Sequence, residues 1–413
     1  MDKKGSIIIF FEHISREYEA CEQLAQQLTN KYGYQVKLFS IVFTYCEAVR
    51  YSRSHKIDAV FFPWIYNDWD YALTVPFLKC NPSIVIVNLH QEQIASDFSD
   101  SLLLPKGKAA KNGCYHIAWG KQFKERLIRD QVNSNLILVT GSIRADLMSS
   151  QKPMRTKNQL ADQYNLSLNK KWILYAENRD WVRGFGKNQA RALASRGASN
   201  SAISDRLIVT RKALSATEHQ MKCLPDSFFN SYELIYRPHP GTTGSRPNNR
   251  IHVIDDYSIN TWLNSVDLVL IWDSTTAFEA EVAGVPVVRH EAIDNPKEFR
   301  TYGIEKFPVI KSLDAIPVLK LDDLERKQAH QAIYKNYLGA CDGNAAEYMS
   351  EIIFEILTNN QNQIEVVPTV KYRYRLFRRL VFEKITRILS KLNLINILKK
   401  PRIAYQLKND IPY

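Results

Sequence analysis

Brief apolar runs that stop abruptly in polar corners constrain this chain more than any other feature. Residues 234–236 and 266–271 are the clearest cases, nearly unbroken apolar stretches of strand length. A strand solvated on one face alternates, so such runs imply burial on both faces, as in a parallel sheet covered by helices. The first run ends at Arg237-Pro238-His239-Pro240-Gly241, where prolines and a glycine stop the strand and hold a cation and an imidazole at its carboxyl edge. The second ends at Asp273-Ser274-Thr275-Thr276, capping residues that open a helix over 277–283, which Gly284 and Pro286 close. Free amides and hydroxyls at a helix start suit an anion, and ligands of open α/β sheets lie beyond the strand carboxyl ends. The two corners therefore predict a phosphate-bearing ligand held between His239 and the turn Ser274, Thr275, Thr276.

The same pattern recurs along the chain. Strands expected over 7–11, 59–62, 83–88, 116–119 and 136–140 alternate with helices over 16–31, 45–54, 70–78 and 121–129. The first of these helices puts Ala20, Leu24 and Leu28 on one face. Residues 149–171 are polar, with Pro153 and no strand, and further strands follow at 172–176 and 286–289. Strands alternating with helices argue an α/β fold of doubly wound parallel sheets. At 413 residues there is room for two such domains. The expected plan is one Rossmann-like domain over 1–150, a linker over 151–171, a second Rossmann-like domain over 172–365 and a tail over 366–413. The ligand is expected between the halves, with helices over 324–338 and 345–357 packing back across the cleft.

The net charge of +12 is concentrated in that tail: residues 371–413 carry twelve basic and two acidic residues, which leaves the rest of the chain near neutral. In the tail Phe377, Val381, Ile385, Ile388, Leu392 and Ile395 recur at spacings of three and four, while Arg378, Arg379, Lys384, Arg387 and Lys391 occupy the other faces. A basic amphipathic helix of this kind suits an anionic membrane surface along residues 371–408, and the alternative is docking on protein. Nucleic acid is disfavoured because the core lacks a basic surface. No apolar run has the length of a membrane span, and residues 7–11 are too short for a signal peptide. The six cysteines are scattered without metal-ligand spacing, which implies a reduced compartment and no structural zinc.

Other strand ends carry candidate chemistry. Glu177, Asn178, Arg179 and Asp180 follow the first strand of the second half, and suit either a catalytic or sugar-binding role or a surface turn with a local ion pair. Glu12, His13, Arg16 and Glu17 follow the first strand of the chain, and Asn88, His90 and Glu92 follow the strand ending at Val87. Glu279, one turn into its helix, is placed to accept from ribose hydroxyls or simply to favour the helix dipole. Residues 141–146, GSIRAD, read as a structural turn with an Arg-Asp pair. Asp68-Trp69-Asp70 has the form of a metal motif but leads a helix in an aromatic segment, so no metal is expected there. No Gly-rich dinucleotide loop, phosphate-binding P-loop or zinc-protease motif is present.

The motifs RPHP, DSTTAFEAEVAGVPVV, NLHQEQ, GSIRAD and AENRDW together resemble bacterial surface-carbohydrate biosynthesis proteins of the two-domain GT-B glycosyltransferase type. Within that group the chain looks most like β-Kdo transferases that use CMP-Kdo, and less closely like CDP-glycerol polymerising enzymes. The resemblance covers residues 5–300. It implies that His239, Pro240, Ser274, Thr275 and Thr276 bind the CMP phosphate and ribose; Arg237, a second donor beside His239, and Glu279 join them on the reading of the residues alone. It implies a nucleotide-sugar-binding second domain, an acceptor-side first domain and no metal or other cofactor. Glu177, Asp180, Glu17 and Glu92 are the candidates for the acceptor-side carboxylate, and Glu12, His13, Arg16, Asn88 and His90 for acceptor or sugar contacts. The implied activity is transfer of a sugar, Kdo foremost, to a lipid-linked surface polysaccharide or lipopolysaccharide glycan by a cytoplasmic protein peripheral to the inner face of the membrane. The alternatives are a polyol-phosphate transferase using a CDP-alcohol and a sugar-nucleotide epimerase.

Overall fold

The computed structural model describes residues 5–93, 96–150, 155–239, 242, 244–256, 258–319, 334–359, 372–392 and 394. Contacts divide the chain into two units: Met1–Gln93, Leu103–Leu147 and Asn336–Tyr413 form the first, Ile94–Leu102 and Met148–Lys335 the second.

The first unit is built on six parallel strands: β1 (Ser6–Phe11), β2 (Gln35–Ser40), β3 (Ile57–Phe62), β4 (Val85–Asn88), β5 (Tyr115–Ala118) and β6 (Ile137–Val139), in the order β2-β1-β3-β4-β5-β6. Every residue of β1 is buried because it feeds two cores. Ile7, Ile9 and Phe11 point to one face, against the Glu19–Tyr32 and Ala345–Thr358 helices. Ile8 and Phe10 point to the other, against the Tyr45–Ser54 helix and Phe77. Just after the chain re-enters this unit, Gly339 has φ 95° and a Cβ there would lie 2.6 Å from the Gly141 Cα, so glycine is required twice over.

The second unit repeats the plan with β7 (Lys171–Ala176), β8 (Tyr232–Arg237), β9 (His252–Val253), β10 (Leu268–Ile271), β11 (Val287–His290) and β12 (Val309–Ile310), all parallel, in the order β12-β11-β10-β7-β8-β9. Winding starts at β7, runs out through β8 and β9, then returns to β10 on the other side. The order therefore reverses between β7 and β10, which is where doubly wound sheets open a crevice.

The expected α/β class of two doubly wound sheets is the observed one, with three differences in the connections. The Ala345–Thr358 helix and the tail helix Tyr372–Lys391 group with the first unit, whereas the sequence reading ran the second domain to residue 365. Tyr32 stacks on Phe354 at 4.3 Å, and the Asp146 carboxylate caps the Ala345 amide at 2.7 Å, which is what anchors the Ala345–Thr358 helix there. The expected linker contains a helix, Lys157–Tyr164, set by a reciprocal Thr156–Gln159 capping box. The long helix Asn200–Lys222, not anticipated from the sequence, covers the second sheet. Of the helix expected over 324–338, residues 324–333 lie outside the described residues, and 334–338 are helical.

Candidate functional site

Three adjacent strands, β10, β7 and β8, end in the corners that the sequence marks. At about 4.8 Å per strand, the outer two corners are about 10 Å apart, a span that a nucleoside phosphate covers.

The middle corner, after β7, is locked. Both oxygens of Glu177 are engaged by Arg179: Nη2 reaches Oε2 at 2.7 Å and Nε reaches Oε1 at 2.8 Å, while the Arg179 and Asn178 amides also donate to Oε1. Neither side chain has any exposed surface. Burial alone would raise the Glu177 carboxyl, but the charge and hydrogen bonds of Arg179 outweigh it and hold the group below the ordinary carboxylate range. The rest of the guanidinium is used by the Thr217 hydroxyl at 3.0 Å and the Tyr175 hydroxyl at 2.9 Å. Tyr175 in turn meets His290 Nδ1, and Gln220 meets His290 Nε2, so burial keeps that imidazole neutral, pushed down to about 3. Asp180 is equally enclosed, held by Arg183 at 2.9 Å and the Tyr236 hydroxyl at 3.2 Å, and burial raises its carboxyl. Glu177 and Asp180 are therefore framework acids, with no open face to take a proton from a substrate.

The β10 corner is more open. Asp273 is buried, accepting from the Thr301 amide at 2.9 Å and facing Arg206 at 3.4 Å, while its carbonyl accepts from the Asn178 side chain. Arg206 lies 5.0 Å from the Trp272 ring centroid, which fixes the base of the turn. Beyond it Ser274, Thr275 and Thr276 are half-buried. The Ser274 hydroxyl donates to Thr276 Oγ1 at 3.1 Å and accepts the Thr276 amide at 3.3 Å. Thr275 precedes the Thr276–Ala283 helix without a side-chain cap of its own. Glu279 is buried one turn further on. Asn178 Oδ1, at the seam of the β7 and β10 corners, is buried without a hydrogen-bond partner among the described residues.

At the β8 corner His239 is half-buried, and its carbonyl is turned back by the Thr242 amide and hydroxyl at 3.0 and 2.6 Å. Arg237 spends one guanidinium nitrogen on the Asp256 carbonyl at 2.7 Å, bracing the loop after β9. Pro240 lies outside the described residues.

The edge of the first sheet separates its candidates. Asn88 is fully buried and clamps Ile65 through both its amide atoms, at 3.1 and 3.2 Å. His90 is also fully buried, with φ 46°, and its Nε2 meets His116 Nδ1 at 2.9 Å. Burial lowers both imidazoles, His116 to about 4. His13 is 5% exposed. Asn88, His90 and His13 are thus enclosed in the interior. Glu17 is enclosed as well, taking the Glu12 amide at 2.7 Å and Arg16 at 2.8 Å. The groups that keep an open face are Glu12, bonded to Trp64 Nε1 at 2.8 Å, Arg16, and Glu92, which pairs with Arg16 at 2.7 Å and is one-third exposed. Gln91, Trp119, Ser142 and Arg144 line a small pocket with Cys21 and Met349. Asp68 and Asp70, the possible metal motif, instead accept from the Ala110 and Tyr66 amides at 2.9 and 3.3 Å.

The residues missed by sequence reasoning, Arg206, Thr217 and Gln220, share the Asn200–Lys222 helix and brace the β7 and β10 corners from behind. Only the N-cap Ser199 signalled that helix.

Two six-stranded, doubly wound parallel units with their polar corners at the carboxyl ends define the GT-B class of fold. Solved structures that share it include the wall teichoic acid polymerase TagF, with a TM-score of 0.56 and 11% identity over 86% of this chain and 90% of that one. TagF H444N soaked with CDPG gives 0.54 and 11% over 88% and 91%. The S. aureus MnaA-UDP co-structure gives 0.48 and 16% over 89% and 99%. No protein-family model and no curated protein matches the sequence. At these identities the likeness to TagF is one of fold.

Proposed function

We propose that the chain is a metal-independent glycosyltransferase that moves a sugar, Kdo from CMP-Kdo, onto a lipid-linked surface polysaccharide or lipopolysaccharide glycan at the inner face of the cytoplasmic membrane. The observation that carries this reading is the alternation of the three corners: β8 and β10 end in half-buried donors, and β7 between them ends in a sealed ion pair. Breaking a sugar–phosphate bond leaves charge on the departing phosphate, and donors already fixed in place stabilise it without reorganising. His239 and the Ser274, Thr275 and Thr276 turn supply such donors, and the orphaned Asn178 Oδ1 supplies an acceptor for a ribose or base donor. On the acceptor side Glu92 is the carboxylate suited to take the proton, since of the four candidates it alone keeps exposed side-chain surface, and Arg16 orients it.

A second reading, transfer of a polyol phosphate from a CDP-alcohol, is favoured by the TagF architecture and its CDPG soak. Both readings need a cytidine nucleotide at the same corners. Calorimetric titration with CMP, CDP and UDP tests them together: cytidine preference, weakened in His239→Ala, is expected, and a preference for UDP or unchanged affinity in the variant sinks both. Phosphate retained in the product separates the second reading from the first.

A further inference from the structure

The tail helix Tyr372–Lys391 packs Leu376 against the core of the first unit and is otherwise fixed to it by polar side chains. Amphipathic helices ordinarily bury the apolar stripe and turn charge to water. Here Glu383, 3% exposed, accepts the Cys46 amide at 3.1 and 3.3 Å and so caps the Tyr45–Ser54 helix, for which Thr44 provides no side-chain cap. Arg379 pairs with Glu383 at 3.4 Å, Arg375 with Asp70 at 3.3 Å, and Lys79 donates to the Tyr372 hydroxyl at 2.6 Å. Arg387 bonds the Phe43 carbonyl and Glu47.

The outward side is the apolar one. Tyr374, Phe377, Val381, Ile385, Ile388 and Leu392 are between 38% and 64% exposed and follow one another at spacings of three and four. At 1.5 Å per residue the stripe is about 27 Å long. Arg373, Arg378, Lys384 and Lys391 are exposed on the same helix, and its one acid, Glu383, is turned inward. The outer face thus consists of apolar side chains bordered by cations alone. A contiguous exposed apolar surface of this kind marks an interaction site. A second copy would set cations against cations, whereas a bilayer with acidic headgroups satisfies both parts of the face.

We propose that this face binds an anionic lipid surface, the helix lying in the membrane plane with Phe377, Ile388 and Leu392 in the acyl boundary and the flanking Arg and Lys at the headgroups. The inward ion pairs hold the stripe outward before any membrane is met. This deepens the membrane location in the proposed function by naming the face and the lipid class, and it stands without the nucleotide reading.

Flotation of the full-length protein with phosphatidylglycerol-containing and pure phosphatidylcholine vesicles tests it. Binding to the first, weakened by salt, and little to the second is expected. Phe377→Glu with Ile388→Glu is expected to lose at least tenfold in binding while keeping the wild-type melting temperature and nucleotide affinity. Arg378→Glu with Lys384→Glu is expected to remove the preference for phosphatidylglycerol. Failure of the wild type to float, or flotation unchanged in both variants, overturns the proposal. So does a dimer by sedimentation that the Phe377→Glu, Ile388→Glu variant dissolves.

Discussion

Each unit places an arginine and a glutamate in the corner after its first strand, and the two pairs are built differently. In the second unit Glu177 and Arg179 have no exposed side-chain surface, and each of their hydrogen-bonding groups is matched to a group of the protein. In the first unit Glu17 is equally enclosed, but Arg16 keeps about a quarter of its surface and shares its charge with Glu92. Burial opposes the charge on Arg16, while Glu92, Glu17 and Glu12 outweigh it and keep the guanidinium firmly cationic. The same residue types at the same place in a fold thus serve as framework in one unit and as an open, orientable charge in the other. Exposure, not residue type, separates the two uses.

The comparison breaks most readily at Arg179. Arg179→Leu strands a buried carboxylate and is expected to cost about 3–5 kcal/mol in urea unfolding. Arg16→Leu, with Glu17 still held by the Glu12 amide, is expected to cost about 1–3 kcal/mol. A larger loss at Arg16 would reverse the assignment of framework and open charge. Glu92→Gln is expected to lower turnover about a hundredfold with stability unchanged, whereas full activity would remove Glu92 as the base. His239→Ala is expected to weaken CMP or CDP binding about tenfold, about 1.4 kcal/mol, without moving the melting temperature.

The smallest effect expected at neutral pH concerns the support behind the sealed pair. The folded pKa of His290 is depressed to about 3, so the unfolded chain takes up its proton first as pH falls. Its contribution is therefore intact at pH 7 and is lost progressively from about 6.5 downward. Glu177, also depressed, adds a loss in the same direction below about 4.3. His290→Gln can still accept from Tyr175 and donate to Gln220, and should flatten the stability–pH slope between about pH 6.5 and 4. An unchanged slope would show that His290 does not titrate on unfolding.

The central strands were legible because doubly buried strands are continuous apolar runs: the segment expected over 7–11 is Ser6–Phe11, and that over 172–176 is Lys171–Ala176, whereas the two-residue edge strands β9 and β12 are too short to show such a run. The Asn200–Lys222 helix was not, because it buries Thr210, Ala213 and Thr217 beside Ile203 and Leu214, which blurs the apolar period. The candidate corners were recognisable as corners, but which side chains stay open was not. Asn88 and His90 sit at a strand end as Glu92 does, yet the left-handed turn at His90 folds the chain back and encloses them. Position along a strand is written in the sequence, whereas enclosure depends on segments that arrive from far away, such as Thr217 behind Arg179.

The first unit is discontinuous in sequence, since Asn336–Tyr413 belongs to it and most of the second unit, Met148–Lys335, is inserted before that segment. During synthesis, the start of the Tyr45–Ser54 helix therefore waits for Glu383 until the inserted Met148–Lys335 has been made. At 5–20 residues per second, translating Met148–Lys335 takes about 10 to 40 s. Over that interval the second unit can assemble on the ribosome while the first still lacks the Ala345–Thr358 and Tyr372–Lys391 helices.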